Sequence, residues 1–260
     1  MELIYFIVSL LASVIGGICG IGGGVIIKPT LDLVGVADVA TVSFLSSCTV
    51  LSMSAYNVGR SFAEKSAVID THSGTPLAIG AAIGGIIGNK LFSFLKHSLG
   101  NVAVVGIAQA LCLLALTLGT LLYTVRKERI HTRSIDSIAT CTGIGTALGV
   151  LSSFLGIGGG PFNLVVLHYF FSMDTKKSVS NSLYIILFSQ AANLAAALLS
   201  HTVPAFAPSA LVLMILGGIG GGILGKSISR RLSGATVDKL FIALQTVIIL
   251  ICVYNAAKYL

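Results

Sequence analysis

GICGIGGGVIIKP at 17–29 and SFLGIGGGPFNLV at 153–165 are two versions of one phrase, 136 residues apart at Gly20 and Gly156. A run of three glycines is a poor helix former. Both runs lie inside long apolar stretches, where a loosened backbone finds no water. In hydrocarbon such a break is tolerated only against protein or a wet cavity. Helices resuming near Val25 and Pro161 would present N–H groups without intrahelical partners, at the positive end of the helix dipole. Pro161 suits a first helical turn, where its missing N–H is not needed. Two such ends deep in a bilayer would form an anion site with few cationic side chains. Glycine also serves close helix packing in membranes, but the matched GIGGG settings favour paired broken helices.

The surrounding composition sets the environment. The 260 residues are 55% hydrophobic and 10% charged, with a mean hydropathy of +0.98. A soluble domain carries about 25% charged residues to hold its water. A soluble enzyme, a disordered chain and a secreted disulfide scaffold are thereby excluded, and an integral membrane protein remains. Apolar stretches run at about 3–27, 38–58, 76–95, 101–125, 135–158, 178–199, 208–226 and 237–258. Most are long enough for a helix to cross a core ~30 Å thick. The N-terminus carries Glu2 and no basic n-region, so it reads as a retained membrane segment and not a cleaved signal.

The repetition extends beyond the glycines. Gly84, Gly85 and Gly88 align with Gly221, Gly222 and Gly225 at an offset of 137, and Asn57/Asn193 and Gln109/Gln245 align at 136. These matches predict two copies of one four-segment unit, residues 1–125 and 135–260, joined by a basic cytoplasmic linker at 126–134. Charge chooses the topology. If every stretch crosses, Lys and Arg divide 7 to 9 between the two sides. If the two glycine segments are re-entrant, 12 fall on one side and only Lys28, Lys90, Lys96 and Lys258 on the other. The second division obeys the positive-inside rule. Three crossings per copy is an odd number, so the copies would be inverted. The expected fold is an all-α polytopic membrane protein of two inverted repeats, each with one glycine-broken, re-entrant segment and three further transmembrane helices.

The two glycine phrases, the triplets Thr41-Val42-Ser43 and Ser180-Asn181-Ser182, and the two glycine ladders together resemble the sulfite exporter TauE/SafE family over nearly the whole chain. The resemblance implies a multi-pass transporter of the bacterial plasma (inner) membrane that exports sulfite, sulfoacetate or related organosulfonates. The first copy keeps a proline after its glycines, Pro29, whereas the second has it at Pro161.

Candidate substrate contacts follow from where polar chemistry meets apolar helix. The broken ends supply Gly22, Gly23, Gly24, Gly158, Gly159 and Gly160. Lys28 lies on the resumed limb, where an ammonium could meet an oxyanion or pair with Asp32 one turn on. The amides Asn57, Gln109, Asn193 and Gln245 need partners in hydrocarbon, either another helix or a polar solute. Ser43, Ser180, Asn181 and Ser182 offer neutral donors, although such side chains commonly bond their own helix. The five cysteines, single and in apolar runs, read as packing residues. The histidines are too scattered to ligate a metal, so neither metal nor cofactor is expected. The net charge of +7 sits in short loops, which argues for membrane orientation and against nucleic acid. No nucleophile, zinc or nucleotide motif occurs, so the chain reads as a non-enzyme whose partners are the lipid bilayer and a small anion. The leading expectation is a secondary transporter working by alternating access around a midplane site. The alternative is a channel-like or thiol-relay uptake protein for an anion such as thiosulfate, using Cys19 and Cys48.

Overall fold

The computed structural model of the chain describes residues 2–35, 37–64, 68–99, 102–155, 157 and 159–259; Lys65, Gly156 and Gly158 lie outside the described residues. The described secondary structure is helical: α1 (Glu2–Cys19), α2 (Gly24–Val34), α3 (Val39–Ala63), α4 (Thr71–Leu99), α5 (Val102–Arg126), α6 (Ile138–Leu155), α7 (Pro161–Phe171), α8 (Thr175–Leu199), α9 (Pro208–Arg231) and α10 (Gly234–Tyr259). Helix lengths run 18, 11, 25, 29 and 25 residues, then 18, 11, 25, 24 and 26. Among the described residues, α1, α6, α8, α9 and α10 join membrane-spanning length to membrane-type hydropathy. Local signals start the long helices. Asp38 caps α3 by accepting from the Thr41 N–H at 3.2 Å, and Asp174 caps α8 by accepting from the Lys177 N–H at 2.9 Å. Thr41 also donates through its hydroxyl, and these bonds hold the exposed Asp38 carboxyl below the usual carboxylate range.

Both glycine runs are real interruptions, and the chain turns back at each. Gly23 is packed on the backbone of Ala12 and Ser13, and Ile27 and Leu31 share an apolar cluster with Tyr5 and Ala12. The second reversal is pinned where it opens: the Arg133 N–H donates to the Tyr169 carbonyl at 2.7 Å and the Ile135 N–H to Phe170 at 3.0 Å. The six long helices α3, α4, α5, α8, α9 and α10 run between two ends of the bundle. At the basic end, Arg230 pairs with Glu64, Lys127 with Asp238 at 2.5 Å, and Asn181 accepts from the Asp70 N–H at 3.0 Å. At the other end, Ser209 donates to Glu2 at 2.6 Å, the Thr41 hydroxyl oxygen lies 3.1 Å from the Ala205 carbonyl, and Phe44 stacks on Phe206. The α1–α2 hairpin opens toward this second end and the α6–α7 hairpin toward the basic end.

The glycine ladders explain how the hairpins are gripped. On α9, Gly217, Gly221 and Gly225 face the α1 backbone at Phe6, Leu10 and Val14; on α4, Gly80, Gly84 and Gly88 face α6 at Thr142, Thr146 and Val150. A Cβ on Gly84 would lie 2.1 Å from the Thr146 carbonyl oxygen, so the two backbones approach as only glycine permits. Between the clasped pairs, α3 crosses α8, and α5 packs on α10. Gly84→Val should force α4 from α6 and lose at least ~1–3 kcal/mol of stability, read as a lower melting temperature in detergent. Gly119→Val, at a position with open space around its would-be Cβ, should leave the melting temperature nearly unchanged.

Candidate functional site

The two hairpin tips meet. Gly20, Gly22, Gly23 and Gly159 have φ of 73°, 81°, 70° and 121°, backbone that side-chain-bearing residues rarely adopt. Gly24 opens α2 and would bring a Cβ to 2.4 Å from the Ile157 carbonyl oxygen, so the first break rests directly on the second. Two aliphatic side chains hold the junction. Val50 of α3 packs on Gly22 and Gly24, while Ile186 of α8 packs on both Gly22 and Gly159. Val50 and Ile186 are themselves 136 residues apart. Gly160 precedes Pro161, the first residue of α7, and lies against the Phe162 ring.

Backbone groups released at the breaks are recovered by side chains. Ser182 donates to the Gly20 carbonyl at 2.6 Å, closing the end of α1. Lys28 donates to the Leu155 carbonyl at 3.1 Å, and Gln109 to the Phe154 carbonyl, so two donors close the end of α6. Lys28 therefore sits at the negative end of a helix dipole, where a cation is favoured. Its ammonium holds one hairpin to the other, a partner that its sequence position beside a helix N-terminus could not reveal.

The remaining candidates separate into framework and wall. Asn181 donates to the Val68 carbonyl at 3.0 Å and the Lys177 carbonyl at 2.9 Å while accepting from Asp70, so it ties the 68–70 turn to α8. Asn193 accepts from the Ser153 hydroxyl at 3.0 Å. Gln245 donates to Thr120 at 2.6 Å between α10 and α5. Ser43 is half-buried on α3. Asn57 and Ser180 instead line a cavity of about 220 Å³ between α3, α8 and α9 near the basic end, with Lys176, Lys226 and Arg230 in its wall. Gly17 and Val179 also line it, and the Val179 backbone packs on Gly20, so the cavity reaches the edge of the first break.

Lys226 is the residue that sequence reasoning passed over, counted only as an orientation charge. Its signal was the helical face: it follows Gly222 by one turn, and Gly222 is the glycine on which Asn57 packs. Its ammonium donates to the Asn57 carbonyl and to the Ser61 hydroxyl, both at 2.8 Å. Cys19 is enclosed in an apolar cluster and Cys48 is half-buried on α3; neither lines this cavity.

Comparison with known proteins completes the description. Residues 5–252 match the family model for the sulfite exporter TauE/SafE. The chain belongs to that family. It is 28% identical over 255 residues to the probable membrane transporter protein YunE of Bacillus subtilis (strain 168), covering 90% of each chain. No solved structure matches it. As a TauE/SafE protein the chain is a multi-pass membrane transporter of the bacterial inner membrane, and not an enzyme. In this TauE/SafE fold Lys28→Met should leave the Leu155 carbonyl unpaired in a buried setting and cost ~1–3 kcal/mol. Lys28→Arg should restore most of the loss, with both read from melting temperatures in detergent.

Proposed function

We propose that this transporter exports a small anion, a sulfur oxyanion or organosulfonate, by alternating access around the paired helix breaks. The moving units are two inverted copies, residues 1–125 and 135–260, with the basic end in the cytoplasm and 126–134 as the linker. Four observations support the duplication: the matched helix lengths, the two Asp caps 136 residues apart, the exchanged α1–α9 and α6–α4 clasps, and hairpins opening at opposite ends. The charge division supports the orientation.

The observation that carries the reading is the cavity. It runs from the basic end, past Lys176, Arg230 and Lys226, to the first break. Farther along α1, α3 and α9, toward the opposite end, the cluster of Tyr5, Ala12, Ile27, Leu31, Val42, Leu45, Ala210 and Met214 is packed and apolar. This pairing of an anion-attracting opening with an apolar closure suits a carrier facing the cytoplasm. At the junction the positive ends of α2 and α7 supply backbone donors. The candidate contacts are Gly22, Gly23, Gly24, Gly158, Gly159 and Gly160 at the breaks, with Asn57 and Ser180 on the approach. Ser43, Gln109, Asn193 and Gln245 join Lys28, Asn181 and Ser182 as the surrounding polar frame.

Purified protein in vesicles, loaded in turn with sulfite, thiosulfate, sulfoacetate and taurine, should show protein-dependent flux of at least one. Gly23→Val places a branched side chain at a φ of 70°, and Gly159→Val drives one into Ile186. Each should abolish flux while leaving membrane insertion intact. Normal flux in both variants would remove the breaks from the mechanism.

A further inference from the structure

The cavity between α3, α8 and α9 carries its charge on two levels. α8 begins at the basic end and α9 finishes there, so Lys176 on α8 and Arg230 on α9 stand at the mouth. Ser180 and Lys226 lie one helical turn deeper on the same faces, ~6 Å further in. Lys176 and Arg230 are exposed, whereas Lys226 is half-buried. The inner ammonium is held in place. It donates to the Asn57 carbonyl and the Ser61 hydroxyl, both at 2.8 Å, and both residues belong to the α3 wall. An ammonium has three N–H groups, so one remains for a ligand.

The three cations differ in what neutralises them. Glu64 pairs with both Arg230 and Arg60, which commits the outer guanidinium to a carboxylate. Among the described residues, no carboxylate pairs with Lys176 or Lys226. Asp174 and Asp70, each two residues from a lining residue, are turned to helix starts: Asp174 accepts from the Lys177 N–H at 2.9 Å and Asp70 from the His72 N–H at 3.0 Å. Two ammonium groups therefore face the cavity without a countercharge, one tethered inside and one at the rim. Drawing the rim ammonium inward would strip its strongly held water. A solute with one charged group meets one level and leaves the other unmatched. Two charges spread along a single solute match both.

We infer that this cavity binds a dianion with its charges at opposite ends, one acidic group on Lys226 and the other on Lys176. Within the anion-carrier reading, on which the ligand class rests, this singles out carboxyalkanesulfonates from compact oxyanions and from aminoalkanesulfonates. The test needs no flux.

Three probes separate charge from shape: 3-sulfopropanoate has a sulfonate and a carboxylate, 3-sulfopropanamide replaces the carboxylate by its neutral isostere, and sulfate puts two charges on one centre. Their affinities for the purified protein in nanodiscs of uncharged lipid can be measured by calorimetry at neutral pH. The two-ended dianion should bind about fivefold or more tightly than either of the others. Lys176→Gln changes an exposed side chain and should bring the dianion to within about twofold of the amide, while leaving the affinity for the amide unchanged. Lys226→Gln should weaken both sulfonates by about tenfold. Melting temperatures and gel filtration verify folding. Equal binding of dianion and amide by the parent protein overturns the inference, as does sulfate binding as tightly as 3-sulfopropanoate or a preference that survives in Lys176→Gln. Selective binding without flux of any anion in vesicles would leave this site standing and defeat the carrier; flux without that selectivity would do the reverse.

Discussion

Each break in a membrane helix frees backbone groups that lipid cannot satisfy, and the rest of this molecule is arranged around that demand. The solution is reciprocal. The end of the first hairpin's entering helix is closed by Ser182 from α8, and that of the second by Lys28 from the first hairpin and Gln109 from α5. These donors come from other elements, while bonds inside each hairpin, from the Gly20 and Ile21 N–H groups to Gly16 and from the Ile157 N–H to Ser152, meet part of the demand. The clasp of α1 by α9 and of α6 by α4 then holds the entering limbs at backbone-to-backbone distance. The combination fixes the tips against each other while leaving the space between α3, α8 and α9 unfilled.

Much of this was legible because membrane chains signal in few ways. Low charge fixed the environment, oligoglycine marked the breaks, and glycine at every fourth position marked the clasped faces. Asn57 and Asn193 could be matched from spacing alone. What spacing cannot report is which helix passes in front of a given side chain. Lys28 stands in sequence beside a helix N-terminus, an anion's place, yet its ammonium reaches a carbonyl end brought there by a segment 127 residues away. Asn181, in a triplet that reads as a polar lining, is consumed by a turn between two other helices. Lys226 was hidden for the opposite reason: near a basic loop, one more lysine looks like an orientation signal. Its bonds to the Asn57 carbonyl and the Ser61 hydroxyl separate it from its neighbours.

The two halves are alike in plan and unlike in detail, and the unlikeness falls where chemistry would differ. The Asp caps, the hairpins and the glycine ladders match. Ser153 against Gly17 does not, nor does Pro161 against Val25, which follow the two glycine runs directly. At Pro161 one backbone donor is lost, so the second break offers fewer N–H groups than the first. In the carrier proposed above, such a chain would meet its solute asymmetrically even with a duplicated scaffold.

Ile186 touches glycines of both tips at once. A rigid branched side chain wedged between two backbones behaves like a key shared by two locks: neither tip can shift along α8 unless the key turns or slides, and either motion disturbs the other tip. Independent travel of the hairpins is thereby forbidden by volume alone, without any ionic latch.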